Sequence, residues 1–199
     1  MLSSTLEDTL RLFGKERFRP MQRELVECAL EGRSCIGILP TGSGKSLCYQ
    51  IPAVLGNGLT VVVSPLIALM RDQVAGLERL GVAAARYDST LAEEDKAALM
   101  DRLTSGSVRL LFAAPESLES PWIQQAMELV PPGLFVVDEA HCLSEWGHSF
   151  RPDYLGLPGF FKKHGFRCVM ALTATATERV CRDLAGLFGV VHFLLRWCT

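Results

Sequence analysis

Apolar positions along the 199-residue chain alternate between two rhythms. Short unbroken apolar runs at residues 34–39, 59–64, 82–86, 108–113, 134–137 and 167–172 predict strands. The Val-rich run at 59–64 fits a strand covered on both faces. Between these runs the apolar residues recur at helical spacing. Residues 66–80 show it most clearly, with apolar side chains at 66, 69/70, 74, 77 and 80 and a stop at Gly81. Helices are likewise predicted over 45–55, 116–129, 153–164 and 177–188. A capping box of Ser4 and Glu7 opens a first helix that Gly14 ends, and a second begins at Pro20 and stops before Gly32. Thr90 and Glu93 read as the cap of a helix running to Gly106. Strands alternating with helices predict an α/β fold of three layers, with a mainly parallel sheet between two layers of helices. The segment 190–199 reads as a further edge strand.

The chemistry concentrates where the first strand meets its helix. Leu39-Pro40-Thr41-Gly42-Ser43-Gly44-Lys45-Ser46 has the pattern of a P-loop, although the strict motif places glycine where this chain has Leu39. Glycines let successive amides face a phosphate, and the helix N-terminus adds partial positive charge. Lys45 would reach the β- and γ-phosphates, and Ser46 would ligate Mg²⁺. Taken alone, a flexible glycine-rich turn is the plainer alternative, but the pattern favours nucleotide binding. Asp138-Glu139, at the end of the strand 134–137, supplies a second half-site. Asp138 suits Mg²⁺, and Glu139 suits a water attacking the γ-phosphate. By itself that pair could be a helix cap; with the P-loop it points to hydrolysis of ATP.

Composition narrows the class without deciding it. The chain is 49% hydrophobic and 21% charged, as in a soluble globular domain. No apolar run approaches the ~18 residues of a membrane span, and no secretory signal opens the chain. A net charge of −2 offers no bulk attraction to nucleic acid, so any such contact must be a local groove. Seven scattered cysteines with no Cys-x-x-Cys pair read as buried thiols of a reducing compartment.

Five segments in order carry a more specific likeness. Phe18-Arg19-Pro20-Met21-Gln22, Thr41–Ser46, Val61-Val62-Val63-Ser64-Pro65-Leu66-Ile67-Ala68-Leu69, Asp138-Glu139-Ala140-His141 with Cys142-Leu143-Ser144-Glu145-Trp146-Gly147-His148-Ser149-Phe150-Arg151-Pro152-Asp153-Tyr154, and Ala171-Leu172-Thr173-Ala174-Thr175-Ala176-Thr177 resemble the motifs of RecQ DNA helicases, a branch of superfamily 2. The resemblance covers residues 6–189. It implies a RecA-like domain over 33–189, preceded by N-terminal helices at 1–32 that carry an adenine-recognition motif and followed by an atypical tail at 190–199. It implies ATP and Mg²⁺, with Arg19 and Gln22 at the base; Gln22 would donate to and accept from the adenine edge. An aromatic residue common in the family is replaced here by Lys15.

The loop 146–154 implies a single-stranded DNA contact coupled to the ATP site, through Trp146, His148, Phe150 and Arg151. Ser64 would face DNA phosphates, and Thr173 and Thr175 would link the DNA side to the acidic pair. Without the resemblance, the loop could be a local aromatic mini-core and the threonines helix caps. The implied activity is ATP-dependent 3′-to-5′ unwinding of single-stranded and partly duplex DNA in repair and recombination. The expected place is the cytoplasm or nucleoid of a bacterium, or a nucleus. A second RecA-like domain bearing an arginine finger is expected but has no match here, so a truncated or frameshifted reading frame is expected, with low solubility. A non-enzymatic remnant and a nucleotide kinase stand as rivals; the DNA loop has no use in a kinase.

Overall fold

A computed structural model describes residues 5–147 and 149–190, and the backbone of 192–194. Seven strands form one sheet: β1 (Cys35–Ile38), β2 (Leu59–Val63), β3 (Ala84–Tyr87), β4 (Leu110–Ala113), β5 (Pro132–Val137), β6 (Cys168–Thr173) and β7 (His192–Leu194). Their order is β3-β4-β2-β5-β6-β1-β7, and every neighbouring pair is parallel. The strand expected in the tail is therefore present as β7 at the sheet edge, beside β1.

Period-two alternation sorts each central strand between two cores. Val61, Val63, Phe135, Val137, Val169 and Ala171 face one side, where they meet α5 (Glu93–Thr104), α6 (Pro121–Leu129), α7 (Leu157–His164) and α8 (Glu178–Phe188). Val62, Leu134, Val136, Met170 and Leu172 face the other, against α2 (Gln22–Leu30), α3 (Leu47–Leu55) and α4 (Ile67–Arg79). The unbroken valine run is thus a strand buried on both faces. α1 (Leu6–Leu12) seals the outside of α2 and α3 through Leu10, Val26, Leu47 and Ile51. The three-layer α/β/α architecture expected from the alternation is the one observed. No helix among the described residues is long and apolar enough to cross a membrane. Six cysteines are free and buried; Cys198 lies outside the described residues.

Several boundaries differ from expectation, each for a local reason. Thr5 rather than Ser4 caps α1, with Asp8 closing the box one residue later than Glu7 would; Ser4 lies outside the described residues. Thr90 is no cap: its hydroxyl and amide both bond the buried carboxylate of Asp88, and α5 starts from Ala92 without a side-chain cap. The helices expected over 116–129 and 153–164 each break in two. Pro121 forces Ser120 into extended backbone, so a 3₁₀ turn at Pro115–Ser117 precedes α6. A second 3₁₀ turn, Pro152–Tyr154, similarly precedes α7. The helix expected from residue 45 begins at Leu47, leaving Lys45 and Ser46 in the turn that leads into it.

Candidate functional site

Strands β5, β6 and β1 lie side by side, so their carboxyl ends bring three distant segments together. The P-loop follows β1, Asp138 and Glu139 follow β5, and Thr173 ends β6. The Leu39 amide donates to the Thr173 carbonyl at 3.0 Å, and the Asp138 amide to that of Val63 at 2.9 Å. The carboxyl edge of a parallel sheet is where open α/β folds place ligand chemistry.

In the P-loop, Gly42 (φ +75°) and Gly44 (φ +84°) take left-handed backbone that L side chains resist. Among the described residues the amides of Gly44, Lys45 and Ser46 donate to no protein acceptor. The Ser43 hydroxyl is buried and unpartnered. A row of unspent donors beside a helix start fits an anionic oxygen ligand. The carbonyls of the loop are held from behind. Arg19 Nη1 donates to Gly42 O at 2.5 Å, and Gln22 Nε2 donates to Ser43 O at 2.9 Å and Gly44 O at 3.1 Å. Gln22 Oε1 accepts from the Arg19 amide at 2.8 Å. Gln22 is only 1% exposed. The expected adenine-facing amide is thus spent on the P-loop in this structure, because a buried carboxamide must find partners. Met21, at φ +68°, makes the turn that begins α2 at Gln22.

Lys45 meets the acidic pair: its Nζ lies 3.9 Å from Glu139 Oε1. Glu139 sits in left-handed backbone (φ +51°), a strained turn of the kind found at functional sites. Its other carboxylate oxygen is 3.3 Å from His141 Nδ1. That nitrogen lies 2.9 Å from the Thr173 hydroxyl, which donates to the Thr175 carbonyl at 2.9 Å. A polar chain therefore runs from the P-loop lysine through Glu139 and His141 to Thr173 and Thr175. Asp138 is 8% exposed, and burial, reinforced by the neighbouring Glu139 charge, pushes its carboxyl up to about 6. The Glu139 amide donating to Oδ1 at 3.0 Å and the Lys45 charge pull the other way. Among the described residues no cluster of three or more His, Cys, Asp or Glu is arranged to hold a metal by itself.

The aromatic loop divides in two. Tyr154 is fully buried and its hydroxyl donates to the Asp138 carbonyl at 3.2 Å, so this end is structural and pinned to the acidic turn. Phe150 and Arg151 are half-buried, and the Arg151 amide donates to Cys142 O at 3.0 Å. Trp146 is 56% exposed, with the Arg179 guanidinium over its ring at 3.3 Å. His148 lies outside the described residues. Ser64 stands apart from expectation: it is 2% exposed, and its hydroxyl is unpartnered inside the protein instead of facing solvent. The surface at that turn is Leu66, 51% exposed.

The family model "DEAD/DEAH box helicase" matches residues 19–184. The chain belongs to that family. It is 42% identical over 189 residues to a Bacillus subtilis protein described as "Probable ATP-dependent DNA helicase RecS", covering 94% of this chain and 38% of that protein. It is 42% identical to "ATP-dependent DNA helicase RecQ" of the same organism over 86% of this chain and 29% of that one. The Haemophilus influenzae protein of the same description is 40% identical over 87% of this chain and 28% of its own length. The chain thus spans about a third of the length of these relatives. Among solved structures, the DUF1998 helicase MrfA bound to DNA and AMPPNP superposes with a TM-score of 0.71 at 17% identity, over 96% of this chain and 29% of that one. The Pyrococcus furiosus Hef helicase domain gives 0.66 at 18%, over 93% and 38%. These two likenesses show the fold.

Within this DEAD/DEAH box domain the structure gathers Arg19, Gln22, Gly42, Ser43, Gly44, Lys45, Asp138, Glu139, Thr173 and Thr175 around one edge, while Thr41 is exposed on the loop. It adds residues the sequence reading missed: Arg179, Asp183 and the Tyr154 hydroxyl. The only sequence signal for the first two was their place in the helix just after Thr173-Ala174-Thr175. Gly147 is a further one. A Cβ there would lie 2.1 Å from the His141 carbonyl oxygen, a backbone atom that cannot swing aside. Gly147→Ala should therefore cost about 1–3 kcal/mol, read as a lower midpoint in thermal denaturation; an unchanged midpoint would mean the loop is looser than described.

Proposed function

We propose that this chain is the ATP- and DNA-binding motor half of a RecQ-type DNA helicase. The observation that carries the reading is the Lys45–Glu139 approach continued through His141 to Thr173. One unbroken polar path joins the P-loop to the turn that leads into the DNA-side helix.

Each group then has a task. The free amides of Gly44, Lys45 and Ser46 hold phosphate oxygens, with Thr41, Gly42 and Ser43 shaping the loop, and the Lys45 ammonium neutralises charge as the terminal phosphoryl leaves. Ser46 and Asp138 would hold Mg²⁺, which would supply positive charge to offset that of the triphosphate. Glu139 orients and deprotonates the attacking water, and His141 fixes the direction of that carboxylate. Gln22 and Arg19 exchange their P-loop carbonyls for the adenine. Thr173 and Thr175 pass the state of Glu139 toward the DNA face. Trp146, Phe150 and Arg151, with His148, contact single-stranded DNA. Unwinding, its 3′-to-5′ direction and use of partly duplex DNA in repair and recombination are proposed for this chain joined to a second RecA-like domain supplying an arginine finger, in the cytoplasm or nucleus where that DNA lies.

The test is the ATPase rate with and without single-stranded DNA, for this chain alone and with a second domain restored. Stimulation by DNA in the restored protein is expected, with slow turnover by the chain alone. Phe150→Ala should lower that stimulation and weaken single-strand affinity by roughly the 1–3 kcal/mol of one stacked base. Equal stimulation in variant and parent would leave the loop as a mini-core only.

A further inference from the structure

Trp146 is held from two directions by one helix. On α8, Arg179 covers one face of the indole, its guanidinium carbon 3.3 Å from the ring centroid. One turn on, Asp183 Oδ2 accepts from the Ser144 hydroxyl at 2.6 Å, and that same hydroxyl accepts from the Trp146 amide at 3.2 Å. Residues four apart on a helix share a face, so cation and carboxylate act together on the loop. Despite this, more than half of the Trp146 surface remains accessible. Beside it runs an open groove of about 460 Å³, lined by Leu143, Glu145, Trp146, Arg182 and Leu187 but not by Arg179. One face of the ring is closed, and another part borders space.

We propose that Arg179 and Asp183 are positioning residues that hold Trp146 as a preformed platform on which one base of single-stranded DNA stacks from the groove side. The inference rests on the DNA reading of the loop given above and adds the residues that set its geometry. An exposed tryptophan on a loop samples several rotamers, and binding a base would have to freeze them. Here the guanidinium and the Ser144–Asp183 bond fix the ring beforehand. The cation also lends charge to the stack, with base, indole and guanidinium in succession.

The experiment is an anisotropy titration of a dye-labelled oligothymidylate with the parent chain and with Trp146→Ala, Arg179→Ala, Arg179→Lys and the Trp146→Ala/Arg179→Ala double variant. Arg179 is exposed, so its replacement leaves the core untouched. Arg179→Ala is expected to weaken binding roughly fivefold, the scale of one cation–π contact, and Arg179→Lys by less. In the Trp146→Ala background the same change should do nothing further. Without DNA, Arg179→Ala should also shift the emission assigned to Trp146 by subtraction of a Trp146→Phe spectrum. Unchanged affinity for Arg179→Ala would overturn the proposal. An equal loss with and without Trp146 would overturn it too, by making Arg179 an independent phosphate contact. Parent-like binding by Trp146→Ala would instead remove Trp146 from the DNA site, and failure of the parent to bind would remove the DNA reading with it.

Discussion

Lys45→Ala is expected to abolish measurable binding of a non-hydrolysable ATP analogue while leaving the fold intact. The ammonium is the one cation that reaches Glu139 from the P-loop, at 3.9 Å. On the proposed reading its hydrogen bonds to phosphate would be charge-assisted, and losing them would forfeit about 3 kcal/mol, or roughly 100-fold in affinity. The cost to stability is small, because a loose and partly solvated ion pair contributes about 1 kcal/mol or less. Calorimetric titration paired with a thermal melt separates the two effects. Parent-like affinity in the variant would remove Lys45 from the nucleotide site.

Asp138→Asn is expected to stabilise the ligand-free protein near neutral pH, and by less as the pH falls. Burial lifts the Asp138 carboxyl from its ordinary 3.8 to about 6. An acid raised in this way binds its proton more tightly folded than unfolded. Between those two values the folded chain holds more protons, so stability falls as pH rises through the window. Above about pH 6 the whole penalty is present, roughly 3 kcal/mol from a shift of about two units. Asparagine carries no charge and escapes it, and its carbonyl can still accept the Glu139 amide. Melting curves at pH 7.5 and 5 should show a gain at the higher pH that shrinks at the lower. A gain independent of pH, or a loss at neutral pH, would mean the carboxylate is already compensated in the ligand-free protein.

Both expectations rest on a site whose two halves lie more than ninety residues apart in sequence, and the chain itself signalled both. The valine run, the glycine turn and the acidic pair carry strong local patterns, and an alternating order of strands and helices brings such patterns to one sheet edge. Other features left no such trace. Gln22 reads as a base reader, and nothing in its local sequence tells that it is buried with its amide on the P-loop carbonyls. Ser64 reads as a surface hydroxyl, yet the tight packing of β2 between β4 and β5 takes it inside. The Arg179 contact with Trp146 joins residues from a loop and a helix separated by α7 and β6, and neither shows a pattern that names the other. Local chemistry was legible; contacts set by strand order were not.

The most direct measurement is a crystal structure of the chain with Mg²⁺ and a non-hydrolysable ATP analogue. Expected is a metal about 2.0–2.1 Å from the Ser46 hydroxyl, bonded to Asp138 directly or through one water, with the γ-phosphate between Lys45 and Glu139. A triphosphate bound elsewhere, or a metal that touches neither Ser46 nor the acidic turn, would contradict it.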